Sequence, residues 1–143
     1  MAESASTPLP RSPHEKVGGI VYFGRMLDKI RLHSEGRLGP DYIPNLGEGF
    51  DLRCTLFLQV PYAEITDRVQ KGGSDEEILA WCVARGQQPS EEQISVWNEY
   101  MRKRGWNDSG SERLKQRLTE GGFAHRTDVQ TFFDYIDLDE GRL

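Results

Sequence analysis

The amino-acid sequence predicts an all-α fold, a single irregular bundle of six to eight helices, from two recurring patterns and one absence. A capping residue followed three positions later by an acid or amide recurs at Ser12 with Glu15, Ser74 with Glu77, Ser90 with Gln93, Ser109 with Glu112, and Thr127 with Gln130. Each is followed by apolar residues at helical spacing. No segment alternates with period two between hairpin turns, so no strand is placed.

Residues 1–11 (MAESASTPLPR) are small and polar with nothing to bury, and read as a flexible arm before a domain spanning 12–143. Ser12, with Pro13 at the first helical position, starts the first helix, whose stripe is Ile20, Phe23, Leu27 and Ile30. Gly18, Gly19 and Gly24 fall inside it. Each costs about 1 kcal/mol relative to alanine, which implies a close backbone approach, a kink, or a break into two helices.

Later stripes are Phe50, Cys54 and Phe57; Tyr62, Ile65 and Val69 after Pro61; Ile78 and Cys82; Ile94, Trp97 and Met101; Leu114 and Leu118. The last is Val129, Phe132, Phe133 and Ile136. From these stripes the expected core is Ile20, Phe23, Leu27, Ile30, Phe50, Cys54, Phe57, Ile65, Val69, Ile78, Cys82, Ile94, Trp97, Leu118, Phe132 and Ile136. Gly36, Gly72, Gly86, Gly105, Gly121 and Gly141 stand where left-handed C-caps are wanted. Between the first two helices, residues 36–49 hold four glycines and two prolines, too many for a helix. A connection this long is unusual, and it is expected to lie ordered against the first helix.

Composition narrows the function. The formal charge is −5, with residues 1–73 balanced at nine cations and nine acids and residues 74–143 carrying nine against fourteen. An acidic chain disfavours a general nucleic-acid binder, because phosphate backbones are held by clustered cations. Cys54 and Cys82 lie in apolar blocks without metal-ligand spacing, which reads as two buried thiols in a reducing cytoplasm. No apolar run approaches the ~18 residues of a membrane span.

Chemistry-bearing motifs are absent. His14, His33 and His125 share no ligand spacing, so no metal is assigned. Asp137, Asp139 and Glu140 lack the spacing of a calcium loop. No serine sits in a nucleophile elbow, and no glycine-rich phosphate loop follows a strand, so no cofactor is implied.

One constellation stands out. Arg25, Asp28 and Lys29 crowd the first helix, and Asn45, Asp51 and Arg53 lie just beyond the glycine-rich loop. These six are the candidate ligand-binding residues, expected to meet when the stiff loop brings Asn45 and Asp51 near Arg25 and Asp28. The plainer reading is a solvated face of ion pairs. The acids Asp134, Asp137, Asp139 and Glu140 oppose the dipole at a helix end. They are expected to meet a cation of the same chain, from Arg102, Lys103 and Arg104 or from Arg25 or Arg31.

The strings RSPHEKVGGIVYFGRMLDKIR, NLGEGFDLRC, GGSDEEILAWC, SEEQISVWNEYMRKRGWND and TFFDYIDLDEGR, in this order, resemble the domain-of-unknown-function family numbered 5069 from about Pro10 to Arg142. The resemblance implies a small bacterial, cytoplasmic protein and carries no catalytic residue across. Two functional classes stay open, with an unknown protein or small molecule as partner. One is a non-catalytic binding or interaction module, which the sequence favours because its charged clusters are explicable as surface. The other is a small-molecule-binding or enzymatic domain with a polar cleft between the first helix and the Gly36–Arg53 segment.

Overall fold

Gly18 and Gly19 decide how the chain begins. Both have positive φ, 57° and 81°, the backbone of a two-residue hairpin turn that side-chain-bearing residues rarely adopt. They close a minimal antiparallel hairpin in which Lys16 faces Val21 and Val17 faces Ile20. The helix expected from Ser12 is therefore replaced, up to Val21, by a turn and two short strands, β1 (Lys16–Val17) and β2 (Ile20–Val21). The Gly18–Gly19 pair made a helix costly there, while Gly24 is accommodated inside α1, and the β-branched residues around the pair made a hairpin cheap. Ser12 caps nothing helical. Its hydroxyl accepts from the His14 amide at 3.2 Å and donates to Asp137 at 3.0 Å, across 125 positions of sequence.

The computed structural model describes residues 7–143. The first six residues of the expected arm lie outside that range, whereas Arg11 is held by Asp28 and Asp75 and the Pro10 carbonyl accepts from Arg142. After the hairpin come α1 (Phe23–Ser34), a 3-10 turn (Pro40–Asn45), α2 (Phe50–Leu58), α3 (Tyr62–Gln70), α4 (Asp75–Arg85), α5 (Glu91–Lys103), α6 (Ser111–Glu120) and α7 (Phe132–Asp139). The chain is a helical bundle with one two-strand ornament.

Ser74 and Ser90 form complete capping boxes with Glu77 and Gln93. Ser109 does not cap α6, because Asp108 takes the amides of Gly105 and Gly110 and holds a tight turn up to Gly110. Thr127 does not cap α7. Thr131 does, accepting from the Asp134 amide at 3.2 Å, and Val129 packs beside the helix rather than within it.

The main core joins Phe23, Met26, Leu27 and Ile30 of α1 to Cys54 and Leu58 of α2, Ile65 and Val69 of α3, and Trp97 and Met101 of α5. Helix α5 also clamps the hairpin. Asn98 accepts from the Val21 amide and donates to the Gly19 carbonyl, while the Trp97 indole donates to the Val21 carbonyl at 3.1 Å. A smaller cluster of Leu114, Leu118, Val129 and Leu138 joins α6 to α7. Phe132 is half-buried and its neighbour Phe133 is fully buried, so the central ring of α7 is Phe133. Phe50, Phe57, Ile94 and Ile136 are likewise half-buried at the edge. Gly86 and Gly121 are not left-handed caps, having φ of −107° and −83°. Gly86 is required because a Cβ there would strike the carbonyl oxygen of Leu58.

Candidate functional site

Helix α1 presents Arg25 and Lys29 one turn apart on the same face, and Tyr22 precedes them on that edge. Neither cation is solvated. The Arg25 side chain is 5 % exposed and the Lys29 side chain 6 %. The solvated-face reading fails for both, and each buried charge is matched by an acid.

Asp51, fully buried in the first turn of α2, is the hub beneath the site. It accepts from the Tyr22 hydroxyl at 2.6 Å, from the Lys29 ammonium at 3.0 Å, and from the Gly47 amide at 3.0 Å. The last bond ties the end of the 36–49 segment to α2. Tyr22 carries this arrangement on a backbone with φ 73°, a conformation costly for an aromatic residue and one that collects at functional positions. Burial and the adjacent Asp51 charge push the Tyr22 hydroxyl well above its ordinary pKa. Burial lowers that of Lys29, only partly offset by Asp51.

Beside this hub, Glu140 accepts from Arg25 at both oxygens and from the Tyr42 hydroxyl at 2.6 Å. Burial works against the Glu140 charge, but bonds from Arg25, Tyr42 and Arg142 hold its carboxyl below the ordinary value. The acidic tail is thus docked through an arginine of the same chain. Asp137 bonds Arg142 at 3.1 Å and Asp134 bonds His14 at 3.0 Å.

Over these networks lies a cleft of ≈ 560 Å³. Arg25, Lys29, Asn45 and Arg53 line it, and Asp51 stands behind Lys29. Asp28 is elsewhere. Its carboxylate accepts three bonds from Arg11 at 2.9 Å and turns away from Asp51, which corrects the expectation that Asp51 would meet Arg25 and Asp28. One residue of helix rotates a side chain by about 100°, enough to separate Asp28 from Lys29. His33, on the same sequence edge, is exposed.

Sequence reasoning missed the opposite wall. Arg113 and Arg117 of α6 line the cleft, as do Phe132, Tyr135 and Ile136 of α7 and Tyr42 of the 3-10 turn. A signal existed: Arg113 and Arg117 are four apart on a helix, a like-charge pair on one edge, and Arg113 has no acid three or four residues away. Among the described residues, Arg53, Arg113 and Arg117 make no ion pair, although Arg53 lies over the Tyr100 ring at 5.7 Å. The cysteines offer no nucleophile here. Both thiols are buried, and burial raises that of Cys82 to about 11. Among the described residues no group of His, Cys, Asp and Glu is arranged to hold a metal ion, and no helix is long and apolar enough to cross a membrane.

Fold and site together define a helical domain with a cleft walled by arginines and aromatic rings. The chain belongs to the family described as Domain of unknown function (DUF5069), which matches residues 7–142, nearly its whole length. No curated protein matches it.

Proposed function

We propose that this domain binds a small organic anion in the cleft between α1, α2, α6 and α7. One observation carries the reading: Arg113 and Arg117 line a single cleft without an acid partner among the described residues. Like charges repel, so such a set is stabilised when an anion enters. Aromatic rings supply apolar area for the body of the ligand, and the volume is that of an ordinary small-molecule site. An ammonium has three donors, and Lys29 uses two, on Asp51 and Tyr22, which leaves one for a ligand acceptor at the floor.

Phenyl phosphate tests this. A ligand that binds only the folded state raises the melting temperature. Phenyl phosphate should raise it above a sodium chloride control of equal ionic strength, and the double variant Arg113→Ala/Arg117→Ala should lose the effect. An equal rise in the salt control, or an unchanged effect in the double variant, rejects the assignment.

A second reading has its own observation. Leu56 and Val96 are 66 % and 60 % exposed and border a shared groove with Tyr100, the mark of an interaction surface. Under that reading the domain associates with a protein through α2 and α5, and Leu56→Glu abolishes the association in sedimentation while leaving phenyl phosphate binding intact.

A further inference from the structure

The charges of the cleft fall into two groups that do not meet. Asp41 and Asp139 make no ion pair among the described residues, and neither do Arg113 and Arg117, although all four line the same space. Opposite charges thus line one cleft without pairing, and Tyr135 of α7 is acted on by Asp139 as well as by Arg117. Helix α7 is the spacer. At its start, the Phe132 amide donates to the Arg104 carbonyl at 2.9 Å, and the Phe132 ring lies against Gly110, the residue that opens α6 and leads to Arg113. At its end stands Asp139, and the charges acting on it are those of Glu140, Asp41 and Arg25. Seven residues of helical rise separate Phe132 from Asp139, roughly 10 Å. Between the two ends the cleft-facing residues of α7 are Tyr135 and Ile136, a half-buried, largely apolar surface.

A simple anion would satisfy the arginine end and be repelled at the other. A ligand with an ammonium at one end and an anionic group at the other satisfies both. We propose that the cleft takes a zwitterion with separated ends, its ammonium between Asp41 and Asp139 and its carboxylate at Arg113 and Arg117, an assignment that rests on the anion-binding reading above. Burial and the neighbouring Glu140 and Asp41 hold the Asp139 carboxyl above its ordinary value, a repulsion that a docked ammonium relieves. An extended peptide covers about 3.3–3.6 Å per residue, so a tripeptide with free termini matches the roughly 10 Å rise of α7 along the cleft. An ω-amino acid has the same chemistry.

The test is a matched series titrated into the full chain and read by NMR chemical shifts. One arm uses the tripeptide Gly-Phe-Gly with free termini, its N-acetylated form and its C-terminal amide. The other uses aminohexanoate and hexanoate. An exposed ion pair contributes about 1 kcal/mol at most, so the free tripeptide should bind about fivefold tighter than either blocked form. Asp139→Asn should remove the advantage of the free amine and leave the acetylated peptide unaffected, and Arg113→Ala should do the converse at the carboxylate. A preference confined to the peptide arm, or to aminohexanoate over hexanoate, supports the proposal and assigns the source. Equal binding of the free and acetylated peptides, and of aminohexanoate and hexanoate, overturns it while the anion-binding reading survives on phenyl phosphate. Failure of phenyl phosphate as well removes both.

Discussion

Glu140, the residue that closes α7, accepts both amino groups of the Arg25 guanidinium, at 2.9 and 2.7 Å. This pair joins the last helix to the first and is almost wholly screened from solvent, the Glu140 side chain being 4 % exposed. Removing one partner of a buried pair leaves the other charge desolvated and uncompensated, at about 3–5 kcal/mol. Glu140→Gln should therefore destabilise the chain by that order in urea unfolding. The pH dependence follows from the lowered carboxyl. Folding favours its ionised form, so its contribution is complete above the ordinary value of 4.5 and is lost as pH falls through the lower folded value. The acid limb of the stability curve should flatten in Glu140→Gln. An unchanged limb would show that another group sets it.

Lys29 and Asp51 form the second buried pair, and here a double-mutant cycle is informative. Lys29→Met leaves Asp51 with the Tyr22 hydroxyl and the Gly47 amide but without its cation. A cost of about 3–5 kcal/mol is expected. Asp51→Asn alone strands the Lys29 ammonium. The double variant Lys29→Met/Asp51→Asn buries no charge and should be less destabilised than the sum of the singles, by 0.5 kcal/mol or more on the usual scale of coupled sites. Strict additivity would mean that the two groups do not interact as a pair.

Phe133 and Phe132 are adjacent yet unequal. Phe133 is fully buried and meets His14, Tyr22 and Phe50 edge-on or stacked, whereas Phe132 is half-buried along the cleft. Phe133→Ala should cost about 3–5 kcal/mol and Phe132→Ala clearly less. Equal losses by chemical denaturation would place both rings in the core.

How much of this was legible in the sequence depended on the range of the interaction. Ser74 and Ser90 were readable as caps because every partner lies within three residues. Ser12 carries the same pattern, but its hydroxyl is engaged by Asp137, a partner brought in from the far end of the chain. The hairpin was written locally in the Val-Gly-Gly-Ile stretch, yet the capping signal upstream outweighed it in the sequence reading. In the site, the crowding of Arg25, Lys29, Asn45 and Arg53 was visible, and so was the possibility that Arg25 would meet the acidic tail. Which acid takes which cation was not, because Asp28 and Lys29 are neighbours in sequence yet point about 100° apart around the helix. The α6 wall went unnoticed because arginines on a polar helix resemble ordinary surface until the fold sets them along a cleft.

Those arginines supply the last prediction. Arg113 and Arg117 stand one turn apart on α6 with no acid partner among the described residues, so each raises the cost of keeping the other charged. Alanine is also at least as good a helix former as arginine. If the pair serves a ligand rather than the fold, Arg113→Ala/Arg117→Ala should melt no lower than the unsubstituted chain. At low ionic strength it should melt slightly higher, because the relieved repulsion is unscreened there, and the gain should vanish at about 1 M salt, where the Debye length falls to about 3 Å. A melting temperature below that of the unsubstituted chain at every salt concentration would show that the two side chains hold α6 against α7, and the cleft would lose its claim to an anion.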